Sequence, residues 1–305
     1  MRKVKSQDIV NIINETGPLT GWQLLEKSGM EALPLWQICR QTPEIRAECA
    51  GRRYLRLDRN VEGFARLSPS IRREFLTYTV LGLENQGPSI EARVQKLSED
   101  VQQISRAKFD LARESMRSVA QSLPVWESIQ EQVCFIIAGD VTYGMAHAVP
   151  RPEVSTGKMV RGSDLDIIVI AEDDVAKDTL RDLDQAIFRK KHYLLVHPNY
   201  HEEIDYLVKD IAKVGQQLAF DSFQHMIASK IIHEGELLYG SVAVFRKIKA
   251  LVEEMMVPDK IAAMEKQAAE DRKQAEISLL EADTAQVDTP FLNLFYTHEE
   301  GDEIY

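Results

Sequence analysis

Gly162-Ser163-Asp164-Leu165-Asp166-Ile167-Ile168-Val169-Ile170 is the stretch that decides how this chain is read. Residues two apart on a β-strand face the same side. Asp164 and Asp166, at the start of an apolar strand, therefore aim two carboxylates at one point, with Leu165 buried behind them. Like charges held this close are costly unless a cation lies between them. Mg²⁺ takes hard oxygen ligands, usually one or two carboxylates with substrate phosphates, and Mn²⁺ accepts the same kind of donor. Upstream, Val133-Cys-Phe-Ile-Ile-Ala138 is a second fully apolar strand and runs into Gly139-Asp140. Downstream, Ile204-Asp205-Tyr-Leu-Val208 is a third, and Asp205 joins the same point if its strand lies beside the one carrying Asp166. Three carboxylates at one sheet edge can hold one or two divalent ions, which activate a hydroxyl and neutralise a triphosphate during in-line displacement.

An apolar strand with a Gly turn, Asp-x-Asp opening a second strand and a later Asp on a third together resemble the polymerase-beta-like nucleotidyltransferase superfamily. The likeness spans residues 130–245 and is nearest to minimal and aminoglycoside-type members. Ile231-Ile-His-Glu234-Gly235-Glu-Leu-Leu-Tyr239-Gly240 is similar to a Glu-Gly…Leu-Tyr segment of those members. The resemblance implies an α+β fold with a small mixed sheet and helices. It implies Mg²⁺-dependent (or Mn²⁺-dependent) transfer of a nucleoside monophosphate from an NTP to a hydroxyl of a protein, RNA or small-molecule acceptor. Asp164, Asp166 and Asp205 are its implied metal ligands and catalytic residues. Gly139, Asp140, Ser163, Lys158 and Arg161 are its implied nucleotide-binding residues. A prokaryotic setting in toxin–antitoxin or phage-defence systems is a further implication.

Two departures from that family pattern stand out. Asp140 occupies the position of the usual Ser or Gly, where a carboxylate repels triphosphate unless it turns away. The 25 positions from Gly139 to Asp164 exceed the usual spacing. The excess, residues 149–161, holds Arg151, Ser155, Thr156, Gly157, Lys158 and Arg161, and is either a phosphate-contacting loop or a solvated one. Thr156-Gly157-Lys158 lacks the upstream Gly of a P-loop. His192, His197 and His201 precede the third Asp, but Pro198 breaks any helix that would align them for zinc, so they read as loop or surface residues.

Residues 1–65 read as a small helical unit closed by a hairpin. Ile9, Ile12 and Ile13 share a helix face. Thr20 caps a second helix, and a third runs over Leu33–Gln41. Ala50-Gly51 is the expected turn into a strand with Tyr54, Leu55 and Leu57. Three helices and a hairpin resemble a winged helix-turn-helix. That resemblance offers Arg40, Arg52, Arg53 and Arg56 as nucleic-acid-binding residues for DNA or RNA, with Gln37 and Gln41 on the third helix able to reach base edges. A protein-interaction role is the open alternative. So is a DNA-binding regulator whose transferase fold senses a nucleotide without chemistry.

Residues 66–130 read as a helical connector, with Ile90, Val94, Leu97, Val101 and Ile104 at heptad-like steps that Lys108 interrupts. This segment is either a packed helix or a dimerising coiled coil. Residues 246–280 read as a helical extension and 281–305 as an acidic, aromatic tail that docks on the chain itself or serves as a partner motif.

The net charge of −11 argues against general nucleic-acid coating. Residues 1–75 hold 13 Lys and Arg against 9 Asp and Glu, whereas residues 281–305 hold seven acids and no Lys or Arg. Three cysteines form no CxxC and build neither a zinc cluster nor a disulfide scaffold. No apolar run has the length of a membrane span, and the first residues carry no signal-peptide core. A cytoplasmic location with no membrane partner is the expectation.

Overall fold

The computed structural model describes residues 6–153, 156–283 and 289–297. It is an α+β chain in two compact units, one of residues 1–100 with 264–305, the other of residues 101–263.

In the first unit, α1 (Ser6–Thr16) turns Ile9 and Ile13 inward and stops at Gly17, whose φ of 79° is left-handed. β1 (Leu19–Thr20) leads into α2 (Gly21–Ser28). Thr20 and Gln23 cap that helix reciprocally, each side chain accepting the other's backbone N–H. α3 (Ala32–Gln41) buries Leu35, Trp36 and Cys39. Then come β2 (Ile45–Cys49), β3 (Tyr54–Leu57), β4 (Ala65–Ser68), the short α4 (Ile71–Arg73) and β5 (Thr79–Leu83).

Here the structure corrects the sequence reading. β2 does not turn at Ala50-Gly51 to pair with β3. It pairs with β5, Ala47 opposite Leu81, and β3 pairs with β4 instead. The sheet order is β1-β5-β2. Every residue of β5 is buried, which suits Thr-Val-Leu-Gly-Leu to a central strand. The unit therefore continues past residue 65, and the segment expected to open a helical connector supplies its middle strand. The helix of the connector is α5 (Gly87–Gln121). Its Ile90 fills the space above Gly82, where an added Cβ would fall 2.4 Å from Ile90 Cγ1.

The second unit contains α6 (Trp126–Ile129), β6 (Val133–Ala138), β7 (Pro150–Pro152), β8 (Met159–Arg161) and β9 (Leu165–Ala171). They are followed by α7 (Lys177–Val196), β10 (Ile204–Asp210), α8 (Ile211–Gln217), α9 (Phe223–Glu234), β11 (Glu236–Gly240), α10 (Val242–Glu254) and the start of α11 (Val257–Glu281). The sheet order is β10-β9-β6-β11. β10 runs parallel to β9, and the other pairs are antiparallel. The parallel pair needs a crossover, and α7 provides it. Phe135, Ile137, Leu165, Ile167 and Val169 line one face in a core with Ala112, Met116 and Val119 of α5 and with Ile187 and Leu194 of α7. On the other face Ile136, Ile168 and Ile170 are buried, and α9 and α10 pack on β6. Burial on both faces explains why β6 and β9 are apolar runs rather than alternating ones.

The helical extension over 246–280 consists of α10 and α11, separated at Met255-Met256, where Met256 adopts φ 53°. The later part of α11 and α12 (Thr289–Phe295) belong to the first unit. There Leu279 and Phe295 are buried, and the Phe295 ring lies 5.9 Å from Trp36. The aromatic tail thus docks in cis on the head. Tyr305 and the acids Asp288, Glu299, Glu300, Asp302 and Glu303 lie outside the described residues. No helix among the described residues is long and apolar enough to cross a membrane.

Candidate functional site

Register brings the acids together. Asp166 on β9 stands opposite Asp205 on β10 and opposite Ala138, the last residue of β6. Asp164 immediately precedes β9 and faces the same way as Asp166. One carboxylate oxygen from each of Asp164, Asp166 and Asp205 lies within 4.8 Å of the other two, and this is the metal-competent group found among the described residues.

Gly139 makes room for the cluster. Its φ is 71°, and a Cβ there would fall 2.2 Å from Asp166 Oδ2. Gly162, with φ 62°, instead lets the chain pass close to His147, since its Cβ would meet the His147 carbonyl at 1.9 Å. Ser163 is buried and locked in place. It accepts from His147 N at 3.2 Å and donates through Oγ to Asp140 Oδ2 at 2.7 Å. Asp140 is therefore held by a hydroxyl of the Asp-x-Asp segment itself.

The electrostatics are those of crowded, desolvated carboxylates. Burial, then the charges of Asp164, Asp140, Asp205 and Glu234, push the Asp166 carboxyl well above the usual carboxylate range. Asp164 is raised mainly by burial, partly offset by Arg151. Arg151, from β7, donates through Nε to Gly162 O at 2.9 Å. Its Nη2 lies 2.8 Å from Glu203 and 3.5 Å from Asp164. Lys191 on α7 donates to Asp205 at 2.9 Å. Among the described residues no ion pair reaches Asp166, and one oxygen each from Asp164, Asp166 and Asp205 is the kind of donor set Mg²⁺ or Mn²⁺ accepts.

The long segment after Gly139 is the β7–β8 ribbon, with Arg151 opposite Val160. Arg151 is the residue of this segment that the structure ties to the triad. Lys158 and Arg161 are exposed, and Thr156 instead caps the turn on Glu153. Ser155 lies outside the described residues. Lys108, which interrupts the apolar seam of α5, is explained by a buried ion pair. Its Nζ reaches Glu202 at 2.5 Å and the Arg161 carbonyl at 2.7 Å, fixing the residue two before β10's Ile204. Among the described residues no histidine joins the metal-competent group. The His197 ring lies tilted against Tyr193 and Tyr200, with centroids 4.9 and 5.1 Å away.

Sequence reasoning missed Glu234 as a site residue, although it lies in the quoted Glu-Gly segment. Its Oε1 accepts from Gly139 N at 3.0 Å and its Oε2 from Tyr143 Oη at 2.6 Å, and Lys230 also donates to it.

In the head, Arg40 and Arg52 are exposed and Arg56 is half-buried. Arg53 is engaged bidentately by Glu74 at 2.6 and 2.7 Å and reaches Glu276 at 2.9 Å. Gln37 donates to the carbonyls of Leu279 and Ala282, and Gln41 to that of Leu280. The amides expected to read bases are thus bonded to the chain's own C-terminal segment.

Comparisons against protein-family models, curated proteins and solved structures each return no match.

Replacing Gly139 tests this geometry directly. Gly139→Ala forces a left-handed residue, at roughly 1–2 kcal/mol, and drives a methyl into Asp166. A lowered melting temperature together with weaker Mn²⁺ binding is expected. Unchanged Mn²⁺ binding would mean that Asp166 is not held against this turn.

Proposed function

We propose that the protein is a metal-dependent nucleotidyltransferase. The observation that carries the reading is the convergence of Asp164, Asp166 and Asp205 at one end of the β9–β10 pair, beside a left-handed Gly turn. Asp164, Asp166 and Asp205 would hold Mg²⁺ or Mn²⁺, which would supply charge neutralisation for a polyphosphate and acidify an attacking hydroxyl. The chain's own groups do the positioning. Arg151 orients Asp164, Lys191 orients Asp205, and Ser163 holds Asp140, so each acid meets its neighbours in a fixed place. The nucleotidyltransferase fold is supported by the mixed β10-β9-β6-β11 sheet and its α7 crossover.

A winged-helix-like head is supported by the helix order and by the β1-β5-β2 sheet, with residues 50–78 as an insertion in its wing. The bonds from Gln37 and Gln41 to the C-terminal segment favour an enzyme over a DNA-reading regulator.

Incubating the full chain with each α-labelled NTP and Mg²⁺, then following label on protein, RNA and small products, tests the activity. Label transfer by the wild type, lost in Asp166→Asn, is expected. No transfer from any NTP at saturating Mg²⁺ or Mn²⁺, with every acceptor class offered, overturns it.

A further inference from the structure

Three donors of different kinds meet around Glu234: the Gly139 N–H, the Tyr143 hydroxyl and the Lys230 ammonium. The carboxylate is 5% exposed, and the ammonium is 10% exposed and lies over the Tyr143 ring. A backbone N–H, a hydroxyl and a cation on one small anion form the donor set that also binds a phosphate. The slot adjoins the metal ligands, because the Gly139 Cα that carries one donor's backbone also faces Asp166 Oδ2.

Glu234 is a poor permanent tenant of this slot. It is the last residue of α9, where the helix dipole disfavours an anion. The helix end does not require it, because Lys249 donates to the last carbonyls, those of Ile232 at 2.9 Å and His233 at 2.6 Å. Gly235 follows at once, so the chain beyond Glu234 starts without a side chain of its own to move.

We propose that Glu234 is a built-in occupant of the phosphate slot of this site, and that a polyphosphate binds by displacing it from Gly139, Tyr143 and Lys230. This rests on the nucleotidyltransferase reading, and it gives Glu234 the role of a gate that sets nucleotide affinity. In the absence of polyphosphate the gate closes the slot beside the triad. Its release exposes the N–H, hydroxyl and ammonium together.

The test is calorimetric binding of tripolyphosphate, with and without Mn²⁺, to the full chain and to Glu234→Gln. Removing the charge keeps an acceptor for Gly139 but weakens the hold of Lys230. With that charge-assisted contact weakened, tripolyphosphate is expected to bind about tenfold tighter to the variant, which is about 1.4 kcal/mol. Glu234→Asp, one methylene too short to span the slot, is expected to shift affinity in the same direction, and serves if the first variant loses the wild-type melting profile. The arms separate two failures. Wild type that binds no Mn²⁺ overturns the metal reading and the gate with it. Wild type that binds Mn²⁺, with variants that bind tripolyphosphate no tighter than it does, overturns the gate alone.

Discussion

Asp166→Asn is expected to raise the stability of the metal-free protein at pH 7 and to abolish the stabilisation that a divalent cation confers. Asp166 is packed against Gly139 among Asp164, Asp140 and Asp205, and its carboxyl is held well above the ordinary range by burial and those charges. A group with a raised pKa binds its proton more tightly in the folded state than in the unfolded one. Its effect is absent below about pH 4, the unfolded value, and the fold loses stability as pH rises from there through the folded pKa. Asp164, Glu202 and Glu203 are shifted in the same direction, so the metal-free wild type should melt at progressively lower temperature across this window. The Asn variant should show a shallower fall.

Divalent cation is expected to reverse the ranking. A ligand at a hundredfold excess over its Kd adds about 2.7 kcal/mol to a fold that binds it. The wild type should gain this from Mn²⁺ and the variant should gain almost none. Transfer activity should fall by at least about 10³-fold, the scale of several kcal/mol of lost charge neutralisation. Melting curves with and without Mn²⁺ at pH 5 and 8 read all of this. Equal Mn²⁺ stabilisation in both proteins would remove Asp166 from the metal site.

The triad was legible because its signal is local. Asp-x-Asp at strand spacing fixes a shared face from two residues, and the flanking apolar runs mark β6 and β9 as strands buried on both sides. Asp205 needed only an adjacent strand, which the crossover through α7 supplies. What was not legible is pairing at a distance. Ala50-Gly51 is a small-residue pair beside Tyr54 and Leu55, a local hairpin signal that points to a wing there. β2 instead finds β5 across the β3–β4 ribbon, and nothing in residues 45–57 encodes that choice. Glu234 escaped for the same reason, and in the sequence Arg151 is only one of several candidates in residues 149–161. Arg151 sits on the short β7–β8 ribbon and Glu234 at a helix end 70 residues from Asp164, and only the folded sheet puts both beside the acids. Arg53 shows the converse, since its basic surroundings suggested a phosphate contact while its partners, Glu74 and Glu276, are 21 and 223 residues away.

The second large effect concerns the tail. Phe295→Ala is expected to cost the head unit about 3 kcal/mol. Phe295 is 1% exposed and packs on Trp36, itself 4% exposed, in a cluster that also buries Leu279, Leu35 and Ile71. Truncating a fully buried Phe typically costs 3–5 kcal/mol, from lost transfer free energy plus the cavity left behind. The lower end applies because α12 is a single short helix whose neighbours can relax toward the gap. For a unit of this size such a loss lowers the melting temperature by roughly 10 °C.

Two further contacts fix the helix independently of the ring. Arg66 donates to the Asn293 carbonyl at 2.7 Å, and Thr297 is buried. The variant should therefore stay folded but looser, rather than lose the whole C-terminal segment. Leu294, 37% exposed on the same helix, is the control, and Leu294→Ala should move stability by less than about 0.5 kcal/mol. Calorimetry of the three proteins decides the matter. A Phe295→Ala transition within a degree of wild type would show that the aromatic segment is not part of the head's core. It would return that segment to the class of motifs that await another chain.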